Sequence, residues 1–436
     1  MSATTTIATS QQQQPVLFST RTEYAIPTQP YMLPSSWRRF QLSQLINRVL
    51  SLPQPVPFDF LVRGELLRGS LAEWCAERGI GEEETLEIEY FEATVPPQRA
   101  ATLPHDDWVA SIDCRQPDRF VTASYDGAVR VFSSSQAVLH TIESPAPILS
   151  AVFAGPELLV SGGHDRHGLL TRLTDDGAET YASLVLHTAP ISSVCASTSG
   201  DCVITASWDG LLGVWDTTAP DSDEVPLDVL EERERGKKRR RVNGAGAGVD
   251  DRPKRKAPLE VLKGHTARVS QAVISGQGEV YSAGFDSTIR VWDAAAGVCT
   301  RTIASSEKPF TSLVLPAPHT VVASSTDRTL SMVDLRANSS APTPGFAHPV
   351  LPTVLTAHPT DGVRVASGAT DGVVRVWDVR STKEAVSSFT AWNADNGKTK
   401  GGKVLGLSWG PSGILGVAGE GGLEIWRMRD GSAVAA

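Results

Sequence analysis

Cysteine is scarce in this chain. Its five residues (Cys75, Cys114, Cys195, Cys202 and Cys299) include no Cys-x-x-Cys pair. Several sit in alternating apolar stretches, where a thiol packs as a small hydrophobe. The odd count, together with an N-terminus of Ser, Thr and Gln that lacks an apolar h-region, points to a reducing compartment. No uninterrupted apolar run approaches the length of a membrane span, so no membrane segment is expected. Three other things are missing: a phosphate-cradling glycine loop, a metal-ligand cluster and a nucleophile elbow. With them go the usual sequence signs of an enzyme or a cofactor of its own.

Positive charge is also short, but only on average. The 436 residues carry a formal net charge of −9. Between Glu231 and Lys256 there are 11 Lys and Arg against 5 Asp and Glu, a local +6 that leaves −15 for the rest. An acidic body does not read as a general phosphate-binding surface.

What is abundant is repetition. Ser207-Trp-Asp-Gly-Leu-Leu-Gly-Val-Trp-Asp216 recurs with variation, marked each time by an acidic residue in a turn before an alternating strand. Those residues are Asp126, Asp165, Asp209, Asp286, Asp327, Asp371 and Glu420, spaced by 39, 44, 77, 41, 44 and 49. This period resembles the WD40 repeat. Seven copies imply a mainly β fold, a seven-bladed β-propeller over 108–430, because no blade buries both of its faces alone. The 77-residue gap reads as one period plus an insertion, 220–258, placed between blades three and four. Its Gly244-Ala-Gly-Ala-Gly248 run and its charge make it a flexible, disordered surface loop.

The first hundred residues have a different rhythm. Residues 1–14 are a low-complexity, disordered tail. Over 15–94 the patterns give a strand at Val16–Thr20, a second within Tyr24–Leu33 and a helix at Phe40–Leu50. A strand at Phe58–Val62, a helix Leu71–Arg78 capped by Ser70 and stopped by Gly79, and a strand from Thr85 to Tyr90 follow. That order fits a small α+β ubiquitin-like β-grasp, or another small α+β domain. Residues 95–107 are either a linker or an outer strand lent to blade seven, which ends near Trp426 with little chain left to supply one.

Three sets of side chains invite a functional reading. In blade three His187, Ser207, Asp209 and Trp215 are expected to form a hydrogen-bonded chain that locks the turn. His265, Asp286 and Trp292 in blade four, and Asp371 and Trp377 in blade six, are the counterparts. Gly163, Gly284, Ala369 and Ala418 replace the Ser207 hydroxyl in blades two, four, six and seven, so shorter networks are expected there. A role repeated around a ring is structural rather than a Ser-His-Asp triad. In the insertion, Lys237, Lys238, Arg239, Arg240 and Arg241 form one basic block and Lys254, Arg255 and Lys256 end a second. Both read as a nuclear-localisation signal, with RNA contact compatible. The third set, Glu82-Glu-Glu84, reads as a solubilising turn, although an exposed carboxylate can complete the coordination of a Mg²⁺ held by a partner.

Pro55-Val-Pro-Phe-Asp-Phe-Leu-Val62, Gly64-Glu-Leu-Leu-Arg68 and Leu86-Glu-Ile-Glu-Tyr90 resemble the Notchless-like domain. With Asp107-Trp108 and Ser124-Tyr-Asp-Gly127 in the repeats, the chain resembles the WD-repeat protein twelve family. The resemblance implies a non-enzymatic assembly factor for the 60S ribosomal subunit and pre-rRNA processing. It implies action on 66S pre-ribosomal particles in the nucleolus and nucleoplasm. It also implies a trimer with pescadillo and the block-of-proliferation WD40 protein, and removal by the midasin AAA ATPase, whose metal site the ubiquitin-like domain binds. The family's metal-reaching glutamate stands seven residues before the tyrosine ending the last strand, which here is Glu83, with Glu82 and Glu84 beside it. Two other classes stay open: a WD40 substrate adaptor of a ubiquitin ligase, and an enzyme with a polar cluster in the ring channel.

Overall fold

The computed structural model describes residues 12–52, 54–81, 83–93, 96–175, 177–220, 253–304, 306–336, 345–381, 384–392 and 402–428. The chain falls into two compact units, the first built on residues up to Gln98 together with Trp377–Ser387, the second on Arg99–Val376 and Ser388–Arg427.

In the first unit β1 (Gln13–Ser19) pairs antiparallel with β2 (Pro30–Pro34). Helix α1 spans Arg39–Leu50, and β3 (Phe58–Val62) and β4 (Glu65–Leu66) form the next hairpin. Helix α2 (Leu71–Arg78) leads to β5 (Leu86–Glu92). The sheet order is β2-β1-β5-β3-β4, with β1 and β5 parallel at its centre, which is a β-grasp. Period-two alternation puts Val16 and Phe18 of β1 and Leu86, Ile88 and Tyr90 of β5 on one face, where α1 covers them with Leu42 and Ile46. Helix α2 begins with a reciprocal cap: the Glu73 N–H donates to Ser70 Oγ (3.2 Å) and the Ser70 N–H to Glu73 Oε2 (2.9 Å). It ends at Gly79 in the left-handed region (φ 65°).

The second unit is a ring of seven sheets, each of at least four strands. The first strands are Val109–Asp113, Ile148–Phe153, Ile191–Ala196, Val269–Ile274, Phe310–Ala317, Pro352–Ala357 and Val404–Trp409. Each packs on the next, and the seventh on the first. A polar contact crosses every one of the seven interfaces. Ala151 N–H donates to Ser111 Oγ (3.1 Å), Val194 N–H to Ser150 Oγ (3.1 Å), and Ser192 Oγ to Val269 O (2.6 Å). Leu313 N–H donates to Gln271 Oε1 (2.9 Å), Leu355 N–H to Ser312 Oγ (2.9 Å), Trp409 N–H to Thr356 Oγ1 (3.3 Å), and Cys114 N–H to Ser408 Oγ (2.9 Å). Backbone donors at the blade seams therefore find partners although no sheet runs between blades.

Blade seven takes its fourth strand from Gln98–Leu103, which lies against Gly422–Arg427. The lent strand brings Arg99 to Glu424, whose carboxylate is 1% exposed (3.4 Å), while the Trp426 indole donates to the other oxygen (3.0 Å). Of the two readings of 95–107, the outer strand is the one adopted.

The insertion differs from its expected place and extent. It interrupts blade three, whose third strand is Leu211–Asp216 and whose fourth, after the insertion, is Glu260–Lys263. Lys254–Lys256, expected in a flexible loop, is a short strand pairing parallel with Gly177–Leu184 as a fifth strand of blade two. The Lys256 side chain is fully buried. Its Nζ pairs with Asp216 Oδ1 (2.6 Å) and donates to Thr218 O (2.7 Å), and Lys254 Nζ donates to Pro220 O (3.3 Å). Local composition favours a solvated loop; a vacant blade edge and the partly exposed Asp216 carboxylate, which Lys256 meets, override it. Lys237–Arg241, Gly244–Gly248, Glu82 and residues 1–11 lie outside the described residues.

Candidate functional site

The ring channel is the first place to look for chemistry. It encloses a cavity of about 320 Å³ lined by the first strands, with Ser111, Ser150, Gln271, Ser312, Thr356 and Ser408 among its walls. In the sequence these polar residues are spread over the blades, and they meet only when the ring closes. All six of these side chains accept the seam N–H bonds described above. At one end Asp113, 3% exposed, is clamped by Arg115, whose Nε and Nη2 reach the two carboxylate oxygens at 2.9 and 2.8 Å. Burial pushes the Asp113 carboxyl up, but Arg115 outweighs it and holds the group below its ordinary value. Cys195, in the same wall, is pushed up by burial to about 12, so its thiol stays protonated. No histidine lines the channel. Among the described residues no three His, Cys, Asp or Glu side chains form a metal-binding group.

The histidine networks are complete in two blades, through a hydroxyl other than the expected one. His187 Nδ1 meets Asp209 Oδ2 (3.1 Å) and its Nε2 meets Thr205 Oγ1 (2.8 Å), to which the Trp215 indole also donates (2.9 Å). Ser207 stands apart: its hydroxyl donates to the Ala189 and Pro190 carbonyls and accepts from Asp209 N–H. Thr205 and Ser207 share a strand face and are equally buried, but only Thr205, two residues further from the turn, stands against the imidazole. Gly213, directly across from Thr205, leaves the space for the Trp215 ring; a Cβ there would stand 2.7 Å from its Nε1.

Blade four repeats the arrangement despite Gly284. His265 meets Asp286 (2.9 Å) and Ser282 Oγ (2.7 Å), which accepts from Trp292 (2.8 Å). The expected shortening at Gly284 is therefore corrected: the hydroxyl that matters stands four residues before the acidic residue, not two. Thr122, Ser161 and Ser367 occupy the same position and are buried, a recurrence present in the sequence but not used. In blade six His348 reaches Ser367 (3.1 Å), while Asp371 pairs with Arg375 (2.7 Å). Burial pushes the Asp286 carboxyl up, but hydrogen bonds and the neighbouring imidazole win and hold it low; burial also holds His265 low. The pair is thus neutral imidazole and carboxylate, a lock and not a proton relay poised for substrate.

Glu83 is exposed in the turn leading into β5, and no hydrogen bond or ion pair engages its carboxylate among the described residues. Glu84, next to it, is held by Arg63, and its carbonyl accepts from Gln14 Nε2. Tyr90, seven residues after Glu83, is anchored in the core with its ring edge-on to Phe58 (5.6 Å) and Phe18 (6.0 Å). A short strand from a buried anchor thus presents an unengaged carboxylate.

The model of the NLE (NUC135) domain matches residues 15–75, and that of the WD domain, G-beta repeat, matches 179–216, 256–293 and 349–378. Among solved structures the WD40 β-propeller domain of Doa1 superposes with a TM-score of 0.58, covering 78% of this chain and 99% of that one at 18% identity, a likeness of fold. The ribosome biogenesis protein YTM1 of Laccaria bicolor is 48% identical over 95% of this chain and 94% of its own length. The protein of the same name from Coprinopsis cinerea is 46% identical over 95% of both. A β-grasp with an NLE match, a WD40 ring and this identity along nearly the whole length lead to one conclusion: the chain belongs to the family of the ribosome biogenesis protein YTM1.

Proposed function

We propose that this protein is a non-enzymatic assembly factor of the large ribosomal subunit, acting in the nucleolus and nucleoplasm. The observation that carries this reading is identity to ribosome biogenesis proteins along nearly the whole chain. The ring serves as a scaffold joining pescadillo and the block-of-proliferation WD40 protein on 66S particles. The β-grasp is the handle by which midasin removes the factor. No cofactor of its own takes part. Import relies on the block Lys237–Arg241, since Lys256 is spent inside the fold.

The handle acts through Glu83, whose carboxylate supplies one oxygen to a Mg²⁺ held by midasin, replacing a water in an octahedral shell. Its exposure and lack of a partner support this, whereas Glu84 is engaged by Arg63. Glu83→Asp shortens the reach by one methylene and Glu83→Ala removes the ligand. Both are expected to abolish capture of the full chain by the midasin metal-site domain, as chelator does, while Glu84→Ala retains it. The Glu83 variants should still sediment with pre-ribosomal particles. Wild-type capture by Glu83→Ala would remove this carboxylate from the metal site.

A further inference from the structure

The acidic-turn face of blades two to four carries a feature that the scaffold reading does not use. Trp208, just before Asp209, is 40% exposed, and His164, just before Asp165, stands edge-on to it at 5.6 Å. From blade four the Arg268 guanidinium lies 5.6 Å from the Trp208 ring and 3.5 Å from the ring of Phe285. Arg268 has no hydrogen bond or ion pair from its side chain among the described residues. A guanidinium stacked on a ring keeps its N–H edge free for an anion. The nearby acids are occupied: Asp209 and Asp286 bind His187 and His265, and Asp165 accepts from the His167 N–H.

The turn backbone adds a second observation. The residue after the acidic one is Gly127, Gly210 and Gly372 in blades one, three and six, all at positive φ. In blades two, four and five it is Arg166, Ser287 and Arg328, at φ 68°, 61° and 66°, so the conformation belongs to the repeated turn, and in blade two it presents an exposed cation.

We propose that this face binds single-stranded RNA, with a base stacked on Trp208 and phosphates held by Arg268 and Arg166. Exposed rings interleaved with unpaired cations are what a single strand needs. An acidic peptide would satisfy the arginines but leave the Trp208 and His164 rings without flat partners. The inference rests on the ribosome-assembly reading only for its choice of nucleic acid.

The test is fluorescence anisotropy of a labelled single-stranded RNA of about a dozen nucleotides. It uses the full chain with Lys237–Arg241 changed to Gln, so that this block does not bind the probe. Trp208→Ala and Arg268→Glu are each expected to weaken binding about tenfold, the effect of one stacked base. Lys263→Glu, an exposed charge on a fourth strand, should change it less than about twofold. Thermal melting checks that the variants are folded. Unchanged binding by both face variants, equal loss with Lys263→Glu, or no RNA binding by the parent overturns the assignment. Capture of a glutamate-rich peptide that is lost in Trp208→Ala, without RNA binding, overturns it in favour of an acidic protein segment. Particle sedimentation, the readout of the assembly reading, is measured separately and does not depend on this result.

Discussion

The Thr205 hydroxyl joins two buried rings at once: it accepts from the Trp215 indole and, because His187 Nδ1–H is given to Asp209, donates to His187 Nε2. Ser207, two residues on, bonds only to backbone. Thr205→Val keeps the shape and strips the hydroxyl, leaving the Trp215 N–H and His187 Nε2 unpaired in the interior. The expected loss is about 2–3 kcal/mol in urea unfolding, against about 1 kcal/mol for Ser207→Ala. Asp209→Ala should fall between them, at about 1–3 kcal/mol, because it also leaves His187 unpaired. Equal losses at Thr205 and Ser207 would contradict the geometry. The acidic residues and histidines were legible from their spacing alone. The hydroxyl was not, because two equally buried candidates sit on the same strand face and only the placement of the imidazole over one of them separates them.

At the scale of elements, the strand Lys254–Lys256 changes what the insertion is. It covers the edge of blade two, and its last side chain ties Asp216 and Thr218 across the base of the loop. Deleting 231–250 should leave stability unchanged, because shortening a long surface loop alters its closure entropy only slightly. Deleting 231–256 removes the strand and strands Asp216, whose carboxylate Lys256 holds below its ordinary value against the effect of burial. A loss of about 1–3 kcal/mol is expected, as for a half-exposed member of a broken ion pair. Both deletions should reduce nuclear accumulation, since each removes Lys237–Arg241. Matching unfolding curves for the two deletions would show that the strand contributes nothing. In the N-terminal unit, by contrast, helix α2 appears with the cap and stop that Ser70 and Gly79 announce. Local chemistry decides there, and no distant partner competes.

For the whole molecule, the ring is closed by chain from outside the repeats. The strand Gln98–Leu103 completes blade seven and covers Glu424 with Arg99. A chain beginning at Pro97 should fold to a monomeric ring. One beginning at His105 loses that strand, exposes an unpaired edge and leaves Glu424 buried without its cation. It should unfold at lower urea and associate through the open edge. Gel filtration and urea titration measure both. Equal behaviour of the two chains would show that the closure is dispensable.

The number of acidic turns, the strand alternation, the order of elements in the β-grasp and the turn that holds Glu83 are all legible along the chain. These are local or periodic, and each residue carries its own signal. Only the tertiary structure decided which hydroxyl joins each histidine, which blade the insertion interrupts and where Lys256 is buried. It also decided how Trp208, Arg268 and Phe285 come to share one face. Those outcomes depend on which groups become neighbours when the blades form and the ring closes, and residues 18 positions apart, as His187 and Thr205 are, or 38, as Thr218 and Lys256 are, carry no local trace of that meeting.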